Sequence, residues 1–167
     1  MNIVYLLLGS NLNERILMLR NARSEITSSA GKILRQSAVY ESEPWGFQSA
    51  HPFLNQVIVV ETEHSPQQLM GLIGDIEKRL GRTRHSGPGY VSRTIDIDIL
   101  FFNDEVICEQ DLIIPHPRIQ DRKFTLIPLS ELDGSFIHPG SGKTITEMIS
   151  ECRDTLNVYP YKEKIIE

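Results

Sequence analysis

Asp96 and Asp98 stand two residues apart in the run Arg93-Thr94-Ile95-Asp96-Ile97-Asp98-Ile99-Leu100-Phe101-Phe102. This run is rich in β-branched residues, alternates with period two and holds no Gly or Pro, so it reads as a strand. Side chains two apart on a strand share a face, so the two carboxylates project together from backbone positions roughly 6.5–7 Å apart. Ile95, Ile97 and Ile99 point the other way, toward a core. A rigid pair of carboxylates suits a hard divalent cation, most naturally Mg²⁺. Acidic residues on a strand can also merely blunt a sheet edge against aggregation, so the pair alone leaves both readings open.

The neighbouring residues weigh toward chemistry. Arg82, Arg84 and Arg93 bracket a loop that contains Gly87-Pro88-Gly89. Guanidinium forks match phosphate oxygens two at a time, and the glycines suit a mobile lid. His116, Arg118 and Arg122 form a second basic cluster in a loop with Pro115 and Pro117. Metal-binding acid beside phosphate-binding base points to phosphoryl transfer. Phe53 and Asn55 share one face of another apolar run, and an aromatic plane beside a carboxamide suits a flat heterocycle. Glu43-Pro44-Trp45-Gly46 lies at the mouth of the same hairpin and can offer backbone groups. The Walker, dinucleotide and zinc motifs are not found in the sequence.

The elements that must position these residues follow from periodicity. Residues 2–8 read as a strand, and Gly9-Ser10-Asn11 as a turn that caps a helix whose stripe is Leu12, Ile16, Leu19, Ile26 and Ala30. Gly31 stops that helix. Residues 33–42 read as a second strand and 53–62 as a third. Ser65-Pro66-Gln67-Gln68 is a capped helix start, with Leu69, Leu72, Ile73, Ile76 and Leu80 as the buried stripe. The carboxylate strand comes fourth. Beyond it, Asn103-Asp104-Glu105 is a turn, Val106-Ile107 a short strand, and 124–132 and 144–152 short helices. The order β-α-β-β-α-β predicts an α+β, ferredoxin-like sandwich: an antiparallel sheet with helices packed on it, plus a C-terminal extension.

The 167 residues suit a single domain spanning 1–167. A net charge of −5 argues against general nucleic-acid binding. The longest apolar runs are too short for a membrane span or a signal core, so a cytoplasmic protein is expected. Cys108 and Cys152 suit a reducing compartment as structural thiols, and a disulfide between them stays open.

Together these motifs resemble the 6-hydroxymethyl-7,8-dihydropterin pyrophosphokinase family. The resemblance runs from Leu8-Gly9-Ser10-Asn11-Leu12 to Phe124 and Leu126–Leu132. Its most specific piece is Arg93-Thr94-Ile95-Asp96-Ile97-Asp98, supported by Phe53-Leu54-Asn55, Gly81-Arg82-Thr83-Arg84, Ile114-Pro115-His116-Pro117-Arg118 and Arg122-Lys123-Phe124. It implies transfer of pyrophosphate from ATP to the hydroxymethyl group of a reduced pterin, with release of AMP, in folate biosynthesis. It implies two Mg²⁺ on Asp96 and Asp98, and catalytic roles for these aspartates with Arg82 and Arg93. ATP falls to Glu77, Arg82, Arg84, Arg93, His116 and Arg122. The pterin falls to Phe53, Phe124, Asn55 and the backbone of Ser42, Glu43, Pro44 and Trp45. Phe53 replaces a common tyrosine, and Asp111 and Ile113 stand where some members place Arg and Thr near ATP. The implied partners are small molecules, with no nucleic acid and no membrane, for a monomeric enzyme. The rival is a two-metal, palm-type nucleotidyl transferase or cyclase, which would not need the heterocycle pocket.

Overall fold

The computed structural model describes residues 1–12, 14–43, 52–81 and 94–162. Their elements run β1 (Asn2–Ser10), α1 (Arg15–Ser29), β2 (Lys32–Gln36), β3 (Tyr40–Ser42), β4 (Phe53–Thr62), α2 (Pro66–Arg79) and β5 (Asp96–Phe102), then β6 (Ile107–Glu109), β7 (Leu112–Ile114), a 3-10 turn at Ile119–Asp121, α3 (Lys123–Asp133), α4 (Ile145–Glu151) and β8 (Val158–Pro160). The main sheet has the order β5-β1-β4-β3-β8, with β2 also paired to β4. All of its pairings are antiparallel. β6 and β7 form a separate hairpin.

β1, β4 and β5 are apolar on both faces, and the sheet is accordingly covered on both sides. Val4, Leu6, Leu8, Leu54, Ile58, Ile95, Ile97 and Ile99 pack under Leu19, Ala22 and Ile26 of α1 and Leu69, Ile73 and Ile76 of α2. Tyr5, Leu7, Val57, Val59 and Phe101 pack under Leu126 and Leu129 of α3 and Ile145 and Met148 of α4. The C-terminal extension is therefore a second helical layer on the opposite face. Each layer hides apolar area worth about 25 cal/mol per Å² removed from water.

Three expectations change. Gly9 and Ser10 continue β1 instead of turning, because each has a partner on β4: Gly9 faces Asn55 and Ser10 faces Leu54. Ser10 consequently caps no helix. Its hydroxyl donates to the Thr94 carbonyl, and α1 begins after Glu14 with no side-chain cap. The predicted strand 33–42 is two strands, because Ser37 interrupts the ladder. Its amide donates to the Val57 carbonyl at 2.8 Å and its hydroxyl accepts from the Val57 amide at 3.0 Å. Other expectations hold. Ser65 and Gln68 form the reciprocal cap of α2 with Pro66 at the first turn. Both cysteines are free.

Candidate active site

The register of three strands builds the site. Asp96 of β5 and Asn55 of β4 both pair with Gly9 of β1, one on each side. Tyr40 of β3 extends this row beyond Asn55, and Asp98 sits in the next same-face row opposite Leu7. Residues directly opposite across an antiparallel pair share a face. Asp96, Asp98, Asn55 and Phe53 therefore stand on one face, and that face is the one that α3 and α4 cover farther along through Leu7 and Val57. One half of it is core and the other half carries the polar groups. Both aspartates are partly exposed, while Ile95, Ile97 and Ile99 are buried behind them.

Glu77 reaches across from α2, and its Oε2 accepts from the Ile97 amide at 3.1 Å. This carboxylate braces the backbone between the two aspartates. Asn55 is buried, and its Nδ2 donates to the Ser42 hydroxyl at 2.7 Å. Its carbonyl oxygen is thereby turned toward Gly9, where an added Cβ would lie 3.4 Å from Oδ1 and 3.8 Å from the Phe53 ring. The Ser42 side chain was not anticipated as Asn55's partner. The alternation Tyr40, Ser42 against Phe53, Asn55 carried that signal. Glu43 is exposed and accepts from Asn157 at 3.3 Å.

The loop after β7 brings the second basic cluster to β5. The His116 amide donates to the Leu100 carbonyl at 3.0 Å, which ties the loop to the carboxylate strand. His116 Nδ1 accepts from the Arg118 amide at 3.0 Å, so the neutral ring carries its proton on Nε2, 4.0 Å from Asp98 Oδ2. Burial, then the charge of Arg122, push the His116 pKa down to about 4, against an opposing pull from Asp96. The ring is neutral at pH 7. Arg122 is buried with its guanidinium carbon 5.5 Å from the centre of the Phe124 ring. Phe124 lies in the first turn of α3 and packs against the same-face core. Arg118 lies 3.8 Å from Asp121. Arg82, Arg84, Arg93, Pro44, Trp45 and Gly87-Pro88-Gly89 lie outside the described residues.

Beside Asp98 and His116 runs a cleft of about 310 Å³ between α2, β5 and the β6–β7 hairpin. Met70, Ile73, Ile97, Ile99, Leu112 and Ile113 give it apolar walls, with Gln110 and Asp111 at the hairpin. Sequence periodicity assigned Ile73, Ile97 and Ile99 to core, and β7 was not foreseen.

A carboxylate pair on an antiparallel sheet, flanked by a histidine-arginine loop, is the layout of a phosphoryl-transfer enzyme. The sequence profile of the 7,8-dihydro-6-hydroxymethylpterin-pyrophosphokinase family matches residues 5–134. A 2-amino-4-hydroxy-6-hydroxymethyldihydropteridine pyrophosphokinase of Porphyromonas gingivalis is 43% identical over 141 residues, 83% of this chain and 95% of that protein. One from Aquifex aeolicus is 40% identical, covering 89% and 91%. A crystal structure of Plasmodium falciparum HPPK-DHPS shares the fold with a TM-score of 0.76 at 19% identity, over 90% of this chain and 45% of that one. The chain belongs to the 7,8-dihydro-6-hydroxymethylpterin-pyrophosphokinase family. It is an ATP-dependent diphosphotransferase that moves pyrophosphate from ATP to the hydroxymethyl group of a dihydropterin in folate biosynthesis. Among the described residues, no helix is long and apolar enough to cross a membrane.

Proposed function

We propose the following division of labour for this reaction. Asp96 and Asp98 hold two Mg²⁺ ions that carry the triphosphate. The donors fit: Mg²⁺ takes one or two carboxylates and completes its octahedron with water and substrate phosphate. A larger cage is not required, and among the described residues no group of three or more His, Cys, Asp or Glu forms one. Bound there, the ions would offset charge on the triphosphate and acidify the attacking alcohol.

The chain's own residues align the two substrates. Phe53 and Phe124 flank the pterin, and Asn55 reads its pyrimidine edge with an amide that Ser42 has already oriented. The backbone of residues 42–45 completes the slot. The apolar cleft beside Asp98 takes the nucleotide's base. Neutral His116 directs an N–H toward the phosphates, while Arg82, Arg84, Arg93 and Arg122 supply fixed positive charge. Glu77 keeps β5 in place, so its contribution near the nucleotide is indirect. Tight alignment is the main device, since phosphoryl transfer asks for position and charge compensation more than covalent help. The enzyme works as a monomer in the cytoplasm.

The observation that carries this reading is the row Asp96–Gly9–Asn55, which sets a carboxylate and a carboxamide on one face two strands apart. The row also disfavours the nucleotidyl-transferase alternative, which has no use for a ring-reading amide beside its acids. The test is incubation with ATP, Mg²⁺ and the reduced hydroxymethylpterin. AMP and the pterin diphosphate are expected, and release of ADP instead would refute pyrophosphate transfer. Asp98→Asn should lower turnover by about 10³-fold while the circular dichroism spectrum stays unchanged. Near-normal turnover in that variant would remove the metal role.

A further inference from the structure

Gly9 is a glycine that the fold does not ask for. It lies inside β1, paired on both sides, and among the described residues the positive-φ glycines are Gly81 and Gly142. A Cβ built at Gly9 would meet Asn55 Oδ1 at 3.4 Å, the Phe53 ring at 3.8 Å and the Leu54 carbonyl at 3.9 Å, all ordinary contact distances. Gly31 is the contrast, since a Cβ there would fall 2.2 Å from the Glu61 carbonyl oxygen. Glycine within a strand weakens it and often marks a bulge, a tight bend, or a place where another backbone or a ligand comes close. The ladder shows no register shift at Gly9, and the nearest backbone atom, the Leu54 carbonyl, stands at ordinary contact distance. The methyl missing from Gly9 would point to the face of Asn55 and Asp96, between the ring-reading amide and the first metal-binding carboxylate.

We infer that Gly9 is a specificity-determining residue: its bare backbone is the floor over which the pterin's one-carbon arm reaches from the ring slot to the metal-bound triphosphate. Neighbouring strands lie about 4.8 Å apart, so Asn55 and Asp96 are roughly 10 Å apart across this floor. The arm and the phosphorus it attacks must share that span. A methyl group on Gly9 lifts the arm without touching the nucleotide cleft, whose walls come from α2, β5 and the hairpin.

The inference rests on the pterin assignment above, and the experiment separates the two. Wild type and Gly9→Ala are compared in melting temperature, in affinity for a Mg²⁺-bound non-hydrolysable ATP analogue, in affinity for a reduced pterin lacking the hydroxymethyl arm, and in AMP release with the full substrate. Gly9→Ala should melt at or above the wild-type temperature and bind both the analogue and the armless pterin as wild type does. Its kcat/KM for the hydroxymethylpterin should fall about 100-fold, the size expected from misplacing a reacting group by about 1 Å. Wild-type turnover in Gly9→Ala would overturn the inference and leave the pterin assignment standing. So would an equal loss of armless-pterin affinity, which would make Gly9 part of the ring slot, or a collapse of the melting temperature, which would make the glycine structural. A wild type that releases no AMP would overturn both.

Discussion

His116 shows how one residue couples site and stability. Its ring is held neutral by burial and by Arg122, with a pKa of about 4 against an ordinary 6.5. In the unfolded chain the same ring takes up a proton as the pH drops through 6.5, while the folded ring refuses it until about 4. The unfolded state thus binds more protons across that window, and stability must fall as pH falls from 6.5 toward 4. Between pH 7 and pH 5 this one group accounts for a loss of about 2 kcal/mol. His116→Gln lacks the titration. Urea denaturation at the two pH values should therefore show wild type losing about 2 kcal/mol more than the variant; equal losses would mean that the folded ring titrates normally. His138 is also depressed by burial, and its contribution cancels in the comparison.

At the scale of elements, Gly31 is where α1 meets the sheet. Its amide donates to the Ile26 carbonyl at 3.1 Å, and a side chain would collide with the β4 backbone at Glu61. Gly31→Ala should destabilise the protein by about 1–3 kcal/mol, read as a lower urea midpoint at unchanged slope. Sequence signals were clearest at this scale where local chemistry decides the outcome. The Ser65 cap, the Pro66 start and the alternation through Asp96 and Asp98 were all readable, because each depends on residues within one turn or one pleat. The signals failed where a distant strand decides. Gly9-Ser10 has turn composition, yet β4 keeps it extended. Ser37 looks ordinary in a strand, but its hydroxyl and amide both engage Val57 and break the pairing into β2 and β3. β7 and β8, three residues each, were too short to show a period.

At the scale of the molecule, the sheet is a partition with one helical layer on each side, and the candidate site occupies the half of the second face that α3 and α4 themselves do not cover. Leu129 in that layer is 1% exposed and packs with Tyr5, Leu7 and Phe101. Leu129→Ala should cost about 2–5 kcal/mol by thermal or urea unfolding, yet turnover per folded molecule should persist. A selective loss of turnover would instead tie this layer to catalysis. The four-strand frame was legible because its topology follows from element order. The second layer was not, since helices 124–132 and 144–152 carry no mark of the face they choose. The alternation that puts the two carboxylates on one face, and Phe53 with Asn55 on another strand's face, was legible, while the apolar cleft was not, because its walls have the composition of core.

β8 lies against β3, with Val158 opposite Ser42, the Tyr161 amide on the Val39 carbonyl at 2.9 Å and the Tyr159 hydroxyl on Glu41 across 118 positions of sequence. During synthesis, then, the segment that bears Ser42 leaves the ribosome long before its outer neighbour does. A nascent chain must therefore wait for residues 158–161 before that wall is closed.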